Sequence, residues 1–191
     1  DTTTVMVDTC DNIVMHFDGI DDRIITPSPF SGNSDYTIAL DLNCGTQFVG
    51  IYPRLIGFSG FEAEIAVKGT ELAYYNGSTW HDSGVNVADN QWHNVTLVRS
   101  GNTNHLYLDG LLLSSLPAPS TLNFTGDFAI GGRIGTSNEY FNGLIDNVRV
   151  FDYPLSDVEV CDMLNQNVIP NKILYNFEEG ESETDNTNLN G

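Results

Sequence analysis

The chain has 191 residues, and its 26 acidic residues outnumber its 7 basic ones, giving a formal net charge of −19 at pH 7. A field of this sign repels phosphate backbones and anionic lipid headgroups, which excludes nucleic acid and acidic membrane surfaces from the expected partners. Hydrophobic residues make up 40% of the chain, but no run approaches the ~18 consecutive apolar residues of a membrane span, so no membrane insertion is expected. The length fits one domain. A composition rich in Asn, Thr, Ser and Gly and poor in lysine is typical of an extracellular all-β protein.

Short apolar segments separated by Gly, Pro, Asn and Asp dominate the chain. Residues 36–42 alternate apolar and polar side chains, as a half-buried antiparallel strand does. Asp109 and Gly110 stand between two apolar segments and predict a two-residue hairpin. The predicted strands are residues 12–17, 36–42, 54–58, 61–67, 71–75, 92–99, 105–108, 111–115, 128–130 and 143–151. Many short strands with such turns predict an all-β fold, a two-sheet antiparallel jelly-roll β-sandwich.

One short helix is predicted near the C-terminus. Ser156 is a candidate N-cap, and Glu159 three residues later completes a capping box before the apolar residues 160–164. Residues 1–169 are therefore assigned to the jelly-roll domain. Residues 170–191 are assigned to a C-terminal strand-like segment and an acidic polar tail, interpreted as the start of a following module.

The three cysteines do not have the C-x-x-C spacing of a structural zinc site. Cys10 precedes the first predicted strand and Cys161 follows the last long one. The terminal strands of a jelly roll usually lie side by side, so a Cys10–Cys161 disulfide is one interpretation. Three free buried thiols are the alternative.

One acidic residue stands inside the last apolar segment. Leu144, Val148 and Val150 are two or four residues apart, so a strand sends them to one face, and Asp146 falls on that same face. A carboxylate among core-facing residues is costly unless a cation satisfies it. The acidic turn at residues 18–22 could bring further oxygens to a hard cation such as Ca²⁺. The alternative is that Asp146 lies at the frayed start of the strand and faces water.

Several motifs occur in a consistent order along the chain. They are Phe-Asp-Gly-Ile-Asp-Asp-Arg-Ile at 17–24, Gln-Trp-His-Asn-Val-Thr-Leu-Val at 91–98, Leu-Tyr-Leu-Asp-Gly at 106–110, Ile-Gly-Gly at 130–132, and residues 140–154. Together they resemble the laminin G-like jelly roll of the concanavalin A-like lectin/glucanase superfamily, over about residues 12–164. Tyr-Asn-Phe-Glu-Glu-Gly at 175–180 is similar to the way such modules end in large bacterial exported proteins. The resemblance implies one module of a secreted or cell-surface protein with neighbouring domains.

The resemblance also implies a structural Ca²⁺ between the turn after the first strand and the penultimate or last strand. By position, it implicates Asp18, backbone oxygens near Gly19, and Asp146. Asp21 or Asp22 would contribute as well. Ca²⁺ takes about 6–8 oxygen ligands, so carbonyls or water would complete the set. The implied role is to tie the start of the domain to its end.

Sugar binding would require aromatic side chains on a concave sheet or a rim loop, where their faces stack on sugar C–H groups. Tyr74, Tyr75 and Trp80 surround one polar loop, and Tyr140 lies at another turn. The alternative is that these rings are core: Trp92 is expected there, and alternation buries one of Tyr74 and Tyr75. Trp80 stands in a polar stretch and is the best exposed candidate.

The expected function is a non-catalytic recognition module for a glycan or another cell-surface ligand. One alternative is an adhesion or spacer domain that binds protein or nothing. The other is a divergent glycoside hydrolase or lyase, which requires a retaining pair of carboxyl groups about 5–5.5 Å apart. Glu62 and Glu64 are the paired candidate for that chemistry, but their expected role is the solvent face of a strand, and no catalytic residue is assigned.

Overall fold

The computed structural model describes residues 4–8, 12–30, 35–48, 50–60, 63–118, 124, 126–135, 138–165 and 173–175. Its elements are β1 (Thr4–Asp8), β2 (Asn12–Asp18), β3 (Ile24–Pro27), β4 (Tyr36–Asn43), β5 (Arg54–Phe58), β6 (Glu64–Lys68), β7 (Glu71–Tyr75), β8 (Trp80–Asn86), β9 (Trp92–Ser100), β10 (Thr103–Leu108), β11 (Leu111–Pro117), β12 (Asp127–Ile130), β13 (Asn142–Phe151), α1 (Asp157–Leu164) and β14 (Ile173–Tyr175).

The strands form two antiparallel sheets. One has eight strands in the order β1-β2-β13-β4-β9-β10-β11, with β14 beside β13. The other has six strands in the order β3-β12-β5-β6-β7-β8. Non-consecutive strands such as β13 and β4 are neighbours, as the long crossovers of a jelly roll require. The predicted two-sheet β-sandwich with one short helix is confirmed.

Apolar side chains from both sheets fill the space between them. Tyr36, Ile38, Leu40 and Leu42 of β4 are completely buried in this core, so the alternation along β4 is confirmed. The core packs closely enough to exclude a side chain at Gly131, which has a φ of +80°. A Cβ there would lie 2.1 Å from the ring of Phe17.

The helix α1 packs on the outer face of the eight-stranded sheet. Ser156 and Glu159 form the predicted capping box, in which the Ser156 N–H donates to Glu159 Oε2 at 2.8 Å. Val160 and Met163 contact a second apolar cluster that includes Phe151 of β13. In the described part of the chain, no helix has the length and apolar character needed to span a membrane.

The strand β8 is absent from the prediction, as are β1 and β3. β8 lies at the edge of the six-stranded sheet and reads Trp-His-Asp-Ser-Gly-Val-Asn, with side chains that are half-buried or exposed. An edge strand pairs on one side only and tolerates polar residues on both faces. Its sequence therefore lacks the alternation that identifies a half-buried strand.

The prediction that Asp146 shares a face with Leu144, Val148 and Val150 holds for Leu144 and is wrong for Val148 and Val150. β13 contains a bulge between Asp146 and Arg149, where Asn147 adopts a φ of 50°. The extra residue reverses the alternation, so Ile145 points into the core before the bulge and Val148 and Val150 do so after it. Asp146 is buried on the opposite, outer face of the sheet.

Two further predictions concern the ends of the domain. Cys10 lies outside the described residues, whereas Cys161 is an exposed free thiol on α1, and the bridge between them stays a prediction. Cys44 is buried, and desolvation raises the pKa of its thiol to about 12. The strand-like segment predicted after residue 170 contains β14, which is paired with β13, while the acidic tail lies outside the described residues.

Candidate functional site

Three aromatic side chains form a platform on the outer face of the six-stranded sheet. Leu72 and Tyr74 of β7 point into the core, so Tyr75 points outward, and its partner across the sheet is Trp80 of β8. Tyr52, which precedes β5, stacks on Trp80 with ring centroids 4.0 Å apart and planes 9° from parallel. All three rings are half-buried. We call Tyr52, Tyr75 and Trp80 the aromatic platform.

A tight turn before β8 positions the Trp80 side chain. Asn76 Oδ1 accepts the backbone N–H groups of Ser78 and Thr79 at 3.0 and 2.9 Å, which closes an Asx turn. Asn76 Nδ2 donates to the carbonyl of Pro117 at 3.0 Å and so ties this turn to the other sheet. Trp80 therefore begins β8 from an anchored turn.

A buried ion pair lies beside the aromatic platform. Arg54 Nε donates to Glu64 Oε2 at 2.9 Å, and the two side chains are only 3% and 2% exposed. Glu139 Oε2 lies 3.3 Å from Arg54 Nη2 and 2.7 Å from Arg133 Nη1. The Arg54 guanidinium is 4.4 Å from the centroid of the Trp80 ring. These four charged groups form a fixed network in contact with the platform.

Burial governs the electrostatics of this ion pair. Desolvation raises the pKa of Glu64, and the attraction of Arg54 opposes that rise. The guanidinium stays charged at accessible pH, which favours the carboxylate form of its partner. Glu64 Oε1 is buried and has no hydrogen-bond partner in the described part of the chain. The network therefore contains one buried carboxylate oxygen that accepts no hydrogen bond from the described residues.

The rim of the platform combines charged and apolar side chains. Lys68 Nζ forms an ion pair with Asp82 and lies 5.5 Å from the ring centroid of Tyr52. Phe48 and Ile51, which precede Tyr52, are 88% and 65% exposed. Aromatic faces, cations and carboxylates are therefore offered together on one surface.

Two of the predicted sugar-binding residues come together here, and two do not. Trp80 and Tyr75 are in contact, with centroids 5.5 Å apart. Tyr74 is a core residue, 1% exposed, and desolvation raises the pKa of its hydroxyl to about 12. Tyr140 is 6% exposed, and its hydroxyl receives a hydrogen bond from Arg23 Nη1 at 3.0 Å. Burial therefore removes Tyr74 and Tyr140 from the accessible surface.

Tyr52 and Arg54 were not among the predicted site residues. The tripeptide Tyr-Pro-Arg shows no periodic pattern, and the contact of Tyr52 with Trp80 joins residues 28 positions apart. The signal available in the sequence was an arginine at the start of a predicted apolar strand. Such a charge is expected to be buried there and to need an acidic partner.

The paired carboxylates considered for glycoside hydrolysis are not available as a pair. Glu62 lies outside the described residues, and Glu64 is engaged by Arg54. Glu64 was expected on a solvent face; it is on the outer face of the sheet but is 1% exposed.

The acidic turn after β2 offers oxygen ligands for a cation. Carboxylate oxygens of Asp18, Asp21 and Asp22 lie within 4.8 Å of one another, and Gly19 makes the turn with a φ of +77°. Oxygen donors of this kind fit Ca²⁺. Asp146 is not brought to this cluster.

The register of β13 explains that separation. Asp18 pairs with Asn142, and Asp146 is four residues farther along β13, opposite Asp41. At about 3.4 Å per residue this is roughly 13 Å. A cation at the acidic turn would therefore be held without Asp146.

Comparison with known families and structures places the chain in a structural context. The family model described as the concanavalin A-like lectin/glucanases superfamily, laminin G type, matches residues 18–161. No curated protein sequence matches the chain.

Solved structures share the fold at low sequence identity. Domain 4 of AbnA, a GH43 extracellular arabinanase from Geobacillus stearothermophilus solved with arabinotriose, is 20% identical with a TM-score of 0.66, over 86% of this chain and 82% of that one. A heptameric pentraxin from Limulus polyphemus is 18% identical with a TM-score of 0.63, over 94% of each chain. The binding domain of botulinum neurotoxin DC, solved with rat synaptotagmin II, is 13% identical with a TM-score of 0.64. That match covers 90% of this chain, which spans about half (47%) of the toxin domain.

Proposed function

Because the chain belongs to the laminin G-like family of the concanavalin A-like lectin/glucanase superfamily, we propose that it is a non-catalytic module that binds glycan through the aromatic platform. We further infer that it serves in a secreted or cell-surface protein alongside other domains. The arabinanase domain solved with arabinotriose and the strongly acidic, lysine-poor composition support these two inferences.

The observation that carries the proposal is the stack of Tyr52 on Trp80 beside the buried Arg54–Glu64 pair. A sugar presents apolar C–H faces and a periphery of hydroxyl groups. Aromatic rings bind the first, and the accessible Lys68 and Asp82 beside the platform can bind the second, whereas the buried Arg54–Glu64 pair supports Trp80 from beneath the surface. The ion-pair network holds its side chains in place before a ligand arrives, so little conformational entropy would be lost on binding.

The structural Ca²⁺ is a second part of the proposal. The three clustered carboxylates of Asp18, Asp21 and Asp22 support it. A cation there would join β2 to the turn that leads into β3, and it would act on stability rather than on chemistry.

A protein ligand is the alternative that a specific observation favours. Phe48 and Ile51 are large exposed apolar side chains, and Ile51 is next to Tyr52 of the platform in the chain; exposed apolar groups mark protein interaction sites when they cluster. The binding domain of botulinum neurotoxin DC, of which about half (47%) matches this chain, was solved with a protein partner, rat synaptotagmin II.

The test is the affinity of the purified chain for neutral and acidic oligosaccharides, measured by calorimetry with arabinotriose as the first probe. Trp80→Ala should weaken binding about tenfold, the effect of losing about 1.4 kcal/mol of aromatic contact. Trp80→Phe keeps an aromatic face and should retain most of the affinity. Leu111→Ala, at an exposed position on the other sheet, is the matched control and should bind as the unmodified chain does.

Three outcomes would overturn the proposal. Equal affinity of the Trp80→Ala variant and the unmodified chain would remove the platform from the binding site. No binding across the whole oligosaccharide panel would favour the protein-binding or spacer role, and release of reducing sugar would favour the enzyme.

A further inference from the structure

A polar cavity opens on the outer face of the eight-stranded sheet, across the sandwich from the aromatic platform. Its volume is about 360 Å³, within the range of about 300–1,000 Å³ of small-molecule sites. Leu164 at the C-terminal end of α1 forms one wall. The other lining residues are Asp41, Trp92, His93, Asn94, Asp146 and Asn147. We call it the Asp41 cavity.

The bulge in β13 creates the floor of this cavity. Asp146 immediately precedes the bulge and points outward, directly across from Asp41 of β4. Asn147 Nδ2 donates to Asp41 Oδ2 at 3.0 Å, and the Asn147 backbone N–H donates to Asp146 Oδ1 at 2.7 Å. From the other side, Asn94 Nδ2 donates to Asp41 Oδ1 at 2.7 Å. The two carboxylates are thus held side by side by amide groups from neighbouring strands.

The Asp41 carboxylate retains capacity to accept further hydrogen bonds. An ionised carboxylate offers about four lone-pair sites, and the Asp41 carboxylate receives one amide bond on each oxygen. The lining includes two aspartates and, among the described residues, no lysine or arginine. Such a lining selects for a ligand rich in hydrogen-bond donors and against an anionic one.

An aromatic side chain completes the cavity. Trp92 was expected in the core but is 45% exposed at the start of β9. An exposed indole beside convergent polar groups provides the apolar contact that a sugar ring requires. Beside it, His93 is clamped between Asp109 and Asp89, with ring nitrogens 2.9 and 3.2 Å from their carboxylates. That side of the rim is therefore rigid.

We propose that the Asp41 cavity is a second glycan site that takes a neutral sugar unit. A sugar hydroxyl donates to Asp41, and a C–H face of the ring lies against Trp92. The ligand class rests on the proposed function, whereas the site itself does not involve the platform. With one site on each face, the module can contact two glycan segments at once, and linking two weak contacts raises avidity.

The experiment uses the fact that the chain has two tryptophans, one at each site. In uniformly ¹⁵N-labelled protein, each indole N–H gives one signal, and Trp80→Phe and Trp92→Phe assign them. The unmodified chain is titrated with arabinotriose, xylotriose, cellotriose and mannotriose, with sialyllactose as the anionic probe and CaCl₂ as the cation probe.

A saturable shift of the Trp92 signal with at least one neutral trisaccharide is expected, and it should persist in the Trp80→Phe protein. Asp41→Asn and Trp92→Ala should each weaken that response tenfold or more in apparent Kd, while Val158→Ala on the exposed side of α1 should not. The Trp92→Ala response is read from backbone signals of the cavity. If the Asp41→Asn variant does not fold, the titration of the unmodified chain is the deciding measurement.

The outcomes separate the two proposals. A shift of Trp80 alone would overturn the second site and leave the platform standing. A shift of Trp92 with CaCl₂ or sialyllactose but with no neutral sugar would also overturn it, because the cavity would then take an ion or an anionic ligand. Shifts of neither signal with any sugar would overturn both proposals.

Discussion

The two outer faces of the sandwich hold their charged side chains in different ways. Four of the seven basic residues, Arg23, Arg54, Lys68 and Arg133, lie in or next to strands of the six-stranded sheet. Three of them form ion pairs with carboxylates there. On the eight-stranded face, the carboxylates of Asp41 and Asp146 are held by asparagine amides instead. The chain has a net charge of −19, yet its basic side chains are concentrated at the six-stranded sheet. The outer face of the eight-stranded sheet presents hydrogen-bond acceptors instead.

The two faces tolerate buried charge in different ways. A buried ion pair compensates both charges, so deleting one partner leaves the other charge uncompensated and strongly destabilises the fold. A carboxylate held by amide groups depends on several weaker hydrogen bonds, and losing one of them costs less. The six-stranded face should therefore be sensitive to single charge deletions, and the eight-stranded face more tolerant of them.

The largest effect should come from breaking the Arg54–Glu64 pair. Arg54→Ala leaves Glu64 buried without its partner and should lower the free energy of unfolding by about 3–5 kcal/mol. The double variant Arg54→Met, Glu64→Leu should recover most of that loss. Arg149→Ala removes a cation of the other sheet that donates to the Met163 carbonyl, and it should cost only about 1 kcal/mol. Urea denaturation measures all three, and an equal loss for the two single arginine variants would contradict the contrast between the faces.

The next effect concerns Ca²⁺ and separates the acidic turn from Asp146. A cation that binds only the folded state stabilises it by about 2.7 kcal/mol at a hundredfold excess over Kd, so EDTA should lower the melting temperature. Asp22→Asn should abolish this sensitivity, and Asp146→Asn should retain it, because Asp22 belongs to the acidic turn whereas Asp146 lies four residues along β13 from Asn142, the partner of Asp18. Melting curves that coincide with and without the chelator would rule out the Ca²⁺ site.

A smaller effect should follow from loosening the wall of the Asp41 cavity. Ser156→Ala removes the N-cap of α1 and its reciprocal bonds with Glu159, which should cost about 1 kcal/mol in unfolding free energy. Since Leu164 of the same helix lines the cavity, amide exchange of the floor residues should also speed up. Unchanged exchange there would show that the cavity does not depend on the helix.

The smallest effect should be a pH dependence centred on His93. Burial of the ring lowers its pKa, but the hydrogen bonds that the ring donates to Asp109 and Asp89 and the attraction of their charges outweigh burial, so the pKa of His93 is raised above its ordinary value of 6.5. Because the folded-state pKa is the higher one, the stabilisation is complete below pH 6.5 and is lost as the pH rises through the folded-state value. For an ion pair this close to the surface it should be under about 1 kcal/mol. His93→Asn and Asp109→Asn should both flatten the pH profile of the melting temperature, and a slope unchanged in both would exclude His93 as its source.

Local patterns predicted much of the fold because their physical causes are local. The alternation along β4, the Asp109–Gly110 hairpin with φ values of 50° and 78°, and the Ser156 capping box each depend on a few adjacent residues. The bulge at Asn147 was not predictable in the same way. One inserted residue reverses the faces of β13, and only the pairing with β4 reveals it.

The candidate site was predictable only in part for a related reason. Trp80 was found because it stands in a polar stretch. Its stacking partner Tyr52 and the neighbouring Arg54 come from another part of the chain, so their association depends on the strand order. Trp92 was misplaced because a tryptophan in a strand is more often core, whereas the alternation of β9 sends Val95 and Leu97 into the core and leaves Trp92 exposed on the outer face.

The pairing of β14 has a practical consequence for anyone who cuts the domain from a longer polypeptide. One side of β13 is shared: β2 covers residues 142–145 and β14 covers residues 148–150. Truncation at the predicted boundary after residue 169 would strip β14 away and leave the backbone of Val148, Arg149 and Val150 without its neighbour on that side. An uncovered strand edge is a template for pairing with another molecule. We therefore expect the shorter fragment to self-associate, and a fragment that keeps residues 173–175 to stay dispersed.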